Sequence, residues 1–446
     1  MNRLIFQAAL IVAAAPVAAP VAAQGGAGGR AAAGSEVSIT KTTIAGIPVI
    51  HKRVTANDVI AVQVYLKGGS AALTPAMQGI ENLLGQTITT GTEKYSKDQF
   101  AALATSTGSS ITAGTGYDFT TFSAQGVRVS FNDTWDLFTQ ALLHPTFPAD
   151  EVTQARDQIE NGLKQRADNP DTYLEQLADS AVYAGHPYAL DPAGTPATMA
   201  ALTRDDLVRW HKTRMTKENL LIVVVGNVTP ADLRQKIVAA FGSLPATGGA
   251  AAKARVVTSA KGDPVLVKRD LPTNYIEGVF AAPALSSADF PAMRVAIIVL
   301  SDRLFEEVRT KRNLTYATFA QVNNRVANRG RIYVTATNPD TTLKVMLGQV
   351  TRLHAEAVST KLLNESVGVF ATNYLMGQQT NMGQAGSLAT WELTGGGYQN
   401  AAGYVNRLRA VTPAQVQRIA RTYLKDFRFV VVGDPAKVDA ALLRSK

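Results

Sequence analysis

The stretch LLIVVVGN at residues 220–227 decides the fold, because FRFVVVGD at residues 427–434 repeats its pattern. Val430 lies 207 residues after Val223, which is roughly half the length of the chain. In both copies a threonine that can cap a helix, Thr203 or Thr412, is followed by a helical pattern, a buried apolar strand and a glycine turn. The shared order of these elements indicates an internal duplication.

The duplication predicts an α+β chain with two homologous α/β-sandwich domains of about 200 residues each. The chain has 446 residues, of which 46% are hydrophobic and 18% charged, as is usual for globular proteins. We place the domains at residues 36–245 and 255–446. Residues 246–254 are rich in alanine and glycine and are predicted to form a flexible linker.

Apolar runs and helical spacing predict the elements of the first domain. Strands are expected near residues 37–40, 48–50, 60–66 and within 120–131. Helices are expected from residue 80 to 88, from 135 to 143 and from 149 to 181, the last with a break at Asn169-Pro170.

The N-terminus has the pattern of a secretory signal peptide at residues 1–23. Arg3 precedes a short apolar run, which is interrupted by prolines and ends in small residues near Ala23. Residues 24–35 are rich in glycine and alanine and are predicted to be a disordered leader. We therefore expect a periplasmic or secreted protein, with no membrane segment after cleavage.

Composition excludes several classes of function. The chain has no cysteine, so disulfides, thiolate zinc sites and cysteine nucleophiles are ruled out. The net charge of +9 is modest and scattered, and no nucleic-acid motif is present, so we expect no nucleic-acid partner. No Walker loop, G-x-S-x-G elbow or H-E-x-x-H motif occurs either.

Several segments resemble the pitrilysin (insulinase-like) family of zinc peptidases, which includes processing peptidases. The matching segments are 68–70, 79–92, 167–171, the two apolar strands of the repeat, and LFEEVRTKRNLTY at residues 304–316. The last is the most specific match. The resemblance covers both halves of the chain and implies a two-domain unit that forms half of a clamshell around a peptide.

The resemblance also shows that the family's zinc motif is degenerate here. The family has two histidine ligands and a glutamate base in an H-x-x-E-H segment, where this chain has Asn82, Gly85 and Gln86. A third ligand, a glutamate in the family, falls at Gly162. Carboxamides are poor zinc ligands and glycine cannot accept a proton, so we expect no metal on this chain. A residual metal site formed by Glu81, Glu160 and the amides is the alternative.

The resemblance implies a further pair of functional residues, and this pair is present in the chain. In the family an arginine and a tyrosine seven residues apart contact the substrate carbonyl from the domain that faces the zinc, and Arg309 and Tyr316 match them. Without the resemblance, Arg309 would be interpreted as a residue that caps or pairs on a basic helix, and Tyr316 as an ordinary strand aromatic.

The sequence therefore predicts the zinc-free subunit of a heteromeric zinc metallopeptidase that hydrolyses peptides. Arg309 and Tyr316 would act in trans to a homologous H-x-x-E-H subunit, which would carry the zinc, so the chain should be inactive alone. The alternative is a non-catalytic homologue with a structural or peptide-binding role, for instance a homodimer.

Overall fold

The computed structural model describes residues 38–249 and 254–444. The predicted signal peptide and leader lie outside these residues. Within the described ranges, no helix combines the length and the apolar character that a membrane crossing requires.

Eleven strands in the described residues form two sheets. The six strands of the first sheet lie in the order β1-β2-β6-β3-β5-β4, and the five strands of the second lie in the order β7-β11-β8-β10-β9. Their bounds are β1 Ile39–Ile44, β2 Ile47–Arg53, β3 Val59–Lys67, β4 Ser110–Thr115, β5 Phe119–Val127, β6 Leu220–Gly226, β7 Val265–Lys268, β8 Asn274–Ala281, β9 Thr318–Val322, β10 Arg329–Ala336 and β11 Arg428–Gly433.

Fourteen α-helices in the same residues cover and connect the sheets. They are α1 Ile80–Thr87, α2 Lys97–Thr107, α3 Phe131–Leu143, α4 Ala149–Asp168, α5 Pro170–Val182, α6 Pro196–Ala201, α7 Arg204–Arg214, α8 Pro230–Phe241, α9 Phe290–Leu304, α10 Pro339–Ala355, α11 Thr360–Gly377, α12 Asn381–Thr394, α13 Tyr404–Arg409 and α14 Pro413–Tyr423.

The five strands of the second sheet have the same order as five of the six strands of the first, all but β1, which confirms the α+β prediction with two related domains. The repeated strands β6 and β11 each pair in parallel with β2 or β7 and antiparallel with β3 or β8. Every residue of β6 is buried, as expected for a central strand of continuous apolar sequence. Thr203 and Thr412 form reciprocal capping boxes with Asp206 and Gln415, so the helix before each strand begins where the sequence predicts.

Two predicted strand boundaries are wrong. The strand expected near residues 37–40 runs from Ile39 to Ile44. The strand expected within residues 120–131 ends at Val127, and Phe131 begins α3 after a short 3₁₀ turn. Apolar spacing cannot separate the end of a strand from the first buried residue of a helix. The predicted break at Asn169 is confirmed, since its side chain caps α5 by accepting hydrogen bonds from the amides of Asp171 and Thr172.

The two halves exchange a helix. Leu174 and Ala178 of α5 lie in one buried cluster with Val279, Val430 and Val432 of the second sheet. In the opposite direction, α12 of the second half packs on the first sheet through a cluster that includes Ala385, Leu388, Tyr65, Leu221 and Val223. Each sheet is therefore closed on one face by a helix from the other half of the chain.

The start of the segment predicted to be a flexible linker is hydrogen-bonded to the first half. The backbone amides of Lys217 and Glu218 donate to the carbonyls of Pro245 and Ala246. Arg214 Nη1 donates to the carbonyl of Gly249 over 2.7 Å. Residues 245–249 are thus fixed by specific contacts.

A buried ionic cluster lies where α5 meets the second sheet. Arg329, whose side chain is 1% exposed, donates to Asp179 of α5 and, over 2.8 Å, to Glu277 of β8. Tyr117 donates a further hydrogen bond of 2.9 Å to Asp179. Burial acts to raise the pKa of Asp179, but Arg329 and Arg325 outweigh it and hold the pKa below its usual range. The carboxylate is therefore charged and paired inside the protein.

Removing one member of this cluster should be costly, because its partner charges would remain buried. We expect Asp179→Ala to lower the free energy of unfolding by about 3 to 5 kcal/mol, measured by urea denaturation. The matched control is Asp157→Ala on the exposed face of α4, for which we expect a change within about 0.5 kcal/mol. Equal effects of the two substitutions would show that the cluster does not hold the halves together.

Candidate functional site

The degenerate zinc motif lies on α1, which is fixed by its apolar face. Ile80, Leu83 and Leu84 are fully buried. Gly79 precedes the helix with a φ of 83°, and a Cβ there would lie 2.7 Å from the Cα of Gly194. Only glycine fits this close approach, so the start of α1 is set by the sequence.

Three of the four predicted positions meet in one pocket. Asn82 and Gln86 of α1 and Gly162 of α4 line a cavity of about 350 Å³. The side-chain amide of Asn82 donates to the carbonyl of Ala193 over 3.1 Å, and Gln86 is exposed. A Cβ at Gly162 would meet no atom within 4 Å, so the place of the family's third ligand is open.

This pocket does not suit a metal ion. No group of three or more His, Cys, Asp or Glu side chains in the described residues could hold one. Arg166 lines the pocket, and its buried Nε finds no hydrogen-bond acceptor. A cation in such surroundings would meet amide groups and a guanidinium in place of charged ligands.

The residual metal site from Glu81 and Glu160 is not formed. Glu81 is buried among the core residues, where it accepts a hydrogen bond from Thr120. Burial raises the pKa of its carboxyl. Glu160 pairs with Lys164 over 2.6 Å, and neither acid lines the pocket.

Gly85, the fourth degenerate position, faces the edge of the first sheet. A Cβ at this position would lie 2.9 Å from the Cβ of Ala113 on β4. A glutamate base could return there only if this neighbour moved. The loss of the base is therefore accompanied by close packing between α1 and β4.

Arg309 lies in a π-helical turn, Phe305–Thr310, which continues α9. The amide of Lys311 donates to the carbonyl of Glu306 over 2.9 Å, a five-residue spacing that widens the turn. Val308 is fully buried and anchors the turn in the core, while Arg309 beside it is exposed. Its guanidinium carbon lies 5.0 Å from the centroid of the Phe305 ring. Its side chain makes no hydrogen bond or ion pair with any residue between 38 and 249 or 254 and 444.

Tyr316 is held by its neighbours and projects outward. Thr315 Oγ1 is within 3.0 Å of Thr335 Oγ1, and the amide of Thr335 donates to the carbonyl of Ala317 over 3.1 Å. Between these fixed residues the side chain of Tyr316 is 86% exposed. Tyr316 precedes β9 by two residues, so the interpretation as a strand aromatic is wrong.

Backbone hydrogen bonds close the loop that runs from Arg309 to Tyr316. The amide of Asn313 donates to the carbonyl of Arg309 over 2.9 Å, and that of Leu314 to the carbonyl of Val308 over 3.0 Å. Asn313 has a φ of 49°, which turns the chain back toward the helix. Residues 309 and 316 are thus carried on one closed loop with both side chains free to meet a ligand.

No sequence pattern indicated a further cavity in the described residues. This cavity measures about 820 Å³ and lies between α3 and α8, with Trp135, Gln140 and Lys236 among its lining residues. The lining mixes acids, bases and amides in no pattern that a sequence motif records. It is built from other elements than those that carry Arg309 and the degenerate pocket.

Comparison with known proteins identifies two family models in this chain. Residues 49–195 match the model described as Insulinase (Peptidase family M16), and residues 201–368 match the Peptidase M16 inactive domain. Together they cover well over half of the chain. Relatives described as uncharacterized zinc proteases include one from Mycobacterium bovis, 24% identical over 86% of this chain and 90% of its own length. Another, from Bacillus subtilis, is 21% identical over 84% of this chain and 92% of its own length.

Solved structures show the same fold. A protease from Helicobacter pylori matches with a TM-score of 0.81 at 18% identity, covering 89% of this chain and 100% of its own. The peptidase M16 inactive domain from Pseudomonas fluorescens matches with a TM-score of 0.80 at 19% identity, covering 89% and 98%. The fold, the family models and the degenerate pocket agree. The chain belongs to the insulinase family of peptidases, as a member with no zinc-ligand cluster in its described residues.

Proposed function

We propose that this chain is the zinc-free subunit of a heteromeric zinc metallopeptidase that hydrolyses peptides. The observation that carries the proposal is an asymmetry between its two halves. In the described part of the first half, no His, Cys, Asp or Glu lines the family's zinc pocket. The second half presents Arg309 and Tyr316 exposed on one closed loop, without a hydrogen bond or ion pair to a described side chain.

The chemistry of the pair suits a developing oxyanion. A guanidinium and a phenol are hydrogen-bond donors, and donors held in place before the reaction stabilise charge that appears in the transition state. Neither group makes a hydrogen bond or an ion pair with a described neighbour, so neither has to break such a bond to reach a substrate carbonyl. Zinc on the partner subunit would supply the activated water.

The partner in this proposal is a homologous subunit with an intact H-x-x-E-H motif. The two chains would form a heterodimer around the peptide, each contributing what the other lacks. The relatives described as zinc proteases support a peptidase setting for this family. The signal-peptide pattern supports assembly in the periplasm or outside the cell.

A second candidate function is peptide binding without catalysis. The degenerate pocket is lined by three carboxamides, Asn82, Gln86 and Gln158, which can pair with a peptide backbone. Beside it β4 is the outer strand of its sheet, and no described residue hydrogen-bonds to its outer edge. Such an edge can accept an extended chain. This candidate gives Arg309 and Tyr316 no role.

Substitution of the pair separates the two candidates. In the purified complex we expect Arg309→Ala and Tyr316→Phe each to reduce peptide turnover by about 10- to 1000-fold, the range for one lost oxyanion donor. Assembly should be unchanged, because both side chains are exposed. Turnover is measured with a fluorogenic peptide library, and assembly by size-exclusion chromatography.

Matched controls are Arg209→Ala, an exposed arginine on α7, and Tyr398→Phe, a half-buried tyrosine after α12. Both should retain full turnover. If neither substitution in the pair lowers turnover by more than its control, the donor role is refuted and peptide binding becomes the better account.

The assignment of the pocket can be tested by rebuilding it. We expect Asn82→His, Gln86→His and Gly162→Glu together to give a chain that binds zinc, since the Cβ at residue 162 meets no obstacle. Zinc is measured by equilibrium dialysis and elemental analysis of the folded variant. Gly85 is left unchanged, because a side chain there would press on Ala113.

The matched control moves the acid by one residue, to Asn161→Glu, and keeps both histidines. Because successive helical residues point about 100° apart, this acid should miss the pocket. Zinc uptake by the control equal to that of the rebuilt chain, or none by either folded protein, would contradict the assigned positions.

A further inference from the structure

The turn that carries Arg309 holds an unusual number of charges. Residues 306–312 contain two acids and three bases, and four of these five side chains are paired with one another. Lys311 Nζ lies 2.8 Å from Glu307 Oε1 and 3.7 Å from Glu306 Oε1. Arg312 Nη1 lies 2.6 Å from Glu307 Oε2 and also donates to the Glu307 carbonyl over 2.8 Å.

Arg309 is the base that this arrangement leaves out. It contacts the Phe305 ring and has no acidic partner within the described ranges. Glu306 precedes it by three residues, a spacing at which opposite charges can pair on a regular α-helix, although the π-helical turn at Phe305–Thr310 changes the spacing here. A carboxylate that captured the guanidinium would occupy the donors needed by a substrate carbonyl.

Both acids pair with Lys311 and not with Arg309. Hydrogen bonds from Lys311 and Arg312 lower the pKa of Glu307 to about 2, so this carboxylate stays charged and paired at ordinary pH. Glu306 has no such second partner. Lys311 is the only base within ion-pair distance of Glu306 among the described residues, so loss of Lys311 would leave Glu306 unpaired.

We propose that Lys311 is a positioning residue that keeps the Arg309 guanidinium available by holding Glu306 away from it. This inference deepens the proposed function and rests on it for its catalytic consequence. Its structural content, the availability of Arg309, can be measured without any activity.

The test uses three variants of the chain: Lys311→Met, Glu306→Gln and the double variant. In the isolated chain, we expect Lys311→Met to slow modification of Arg309 by phenylglyoxal by about 2- to 5-fold, the size of one exposed ion pair. Peptide mapping by mass spectrometry locates the modification. In the assembled complex, kcat should fall by a similar factor with little change in KM.

The double variant decides between positioning and a local structural effect. Glu306→Gln removes the competing carboxylate, so the double variant should regain the reactivity of Arg309 and the kcat of the wild type. A residue that merely stabilises the turn gives no such rescue. The matched control is Lys361→Met on α11, which also removes an exposed lysine with an acid four residues away and should change neither readout.

The outcomes separate this inference from the proposed function. If Arg309→Ala leaves turnover intact, the proposed function fails, while phenylglyoxal reactivity still decides whether Lys311 keeps Arg309 available. If Arg309→Ala lowers turnover but Lys311→Met changes neither reactivity nor kcat, the inference alone is overturned. The inference is also overturned if Lys311→Met lowers both the reactivity of Arg309 and kcat, but the added Glu306→Gln substitution restores neither.

Discussion

The exchange of helices between the two halves is the constraint on which the rest of the structure depends. Each sheet buries one face against a helix from the other half, and Arg329 joins Asp179 of α5 to Glu277 of β8 inside that contact. Neither half can bury its sheet alone. The pocket of the first half and the loop of the second are therefore fixed in one unit.

Duplication gave the two halves one topology, but the corresponding edges differ. In the second half, the outer strand β9 is covered by α9, since Ser301 accepts a hydrogen bond from the amide of Ala320 and Arg294 donates to the carbonyl of Val322. In the first half, the outer edge of β4 has no such partner among the described residues. The first half thus has an open sheet edge beside a pocket that lacks the family's zinc ligands. The second half has a covered sheet edge, and the loop that precedes it carries the exposed Arg309 and Tyr316.

The shared topology and the positions that line the pocket could be predicted from the sequence. The repeat predicted the shared topology because a buried central strand needs a continuous apolar run, and the threonine caps marked where its preceding helix begins. Asn82, Gln86 and Gly162 were predicted together from the family pattern, and they do line one pocket. The exchange of helices could not be predicted, because the apolar face of α5 is the same whichever sheet it covers. The π-helical turn was missed since Phe305–Thr310 reads as ordinary helix, and the contact of Gly85 with Ala113 depends on tertiary packing alone.

The central claim is that this chain completes an active site in trans, and native mass spectrometry of the protein, purified gently from its own host, tests it most directly. The account predicts an equimolar companion that carries H-x-x-E-H and one zinc ion. A zinc-free monomer or homodimer with no such companion would contradict it, and would favour a chain that binds peptides without cleaving them.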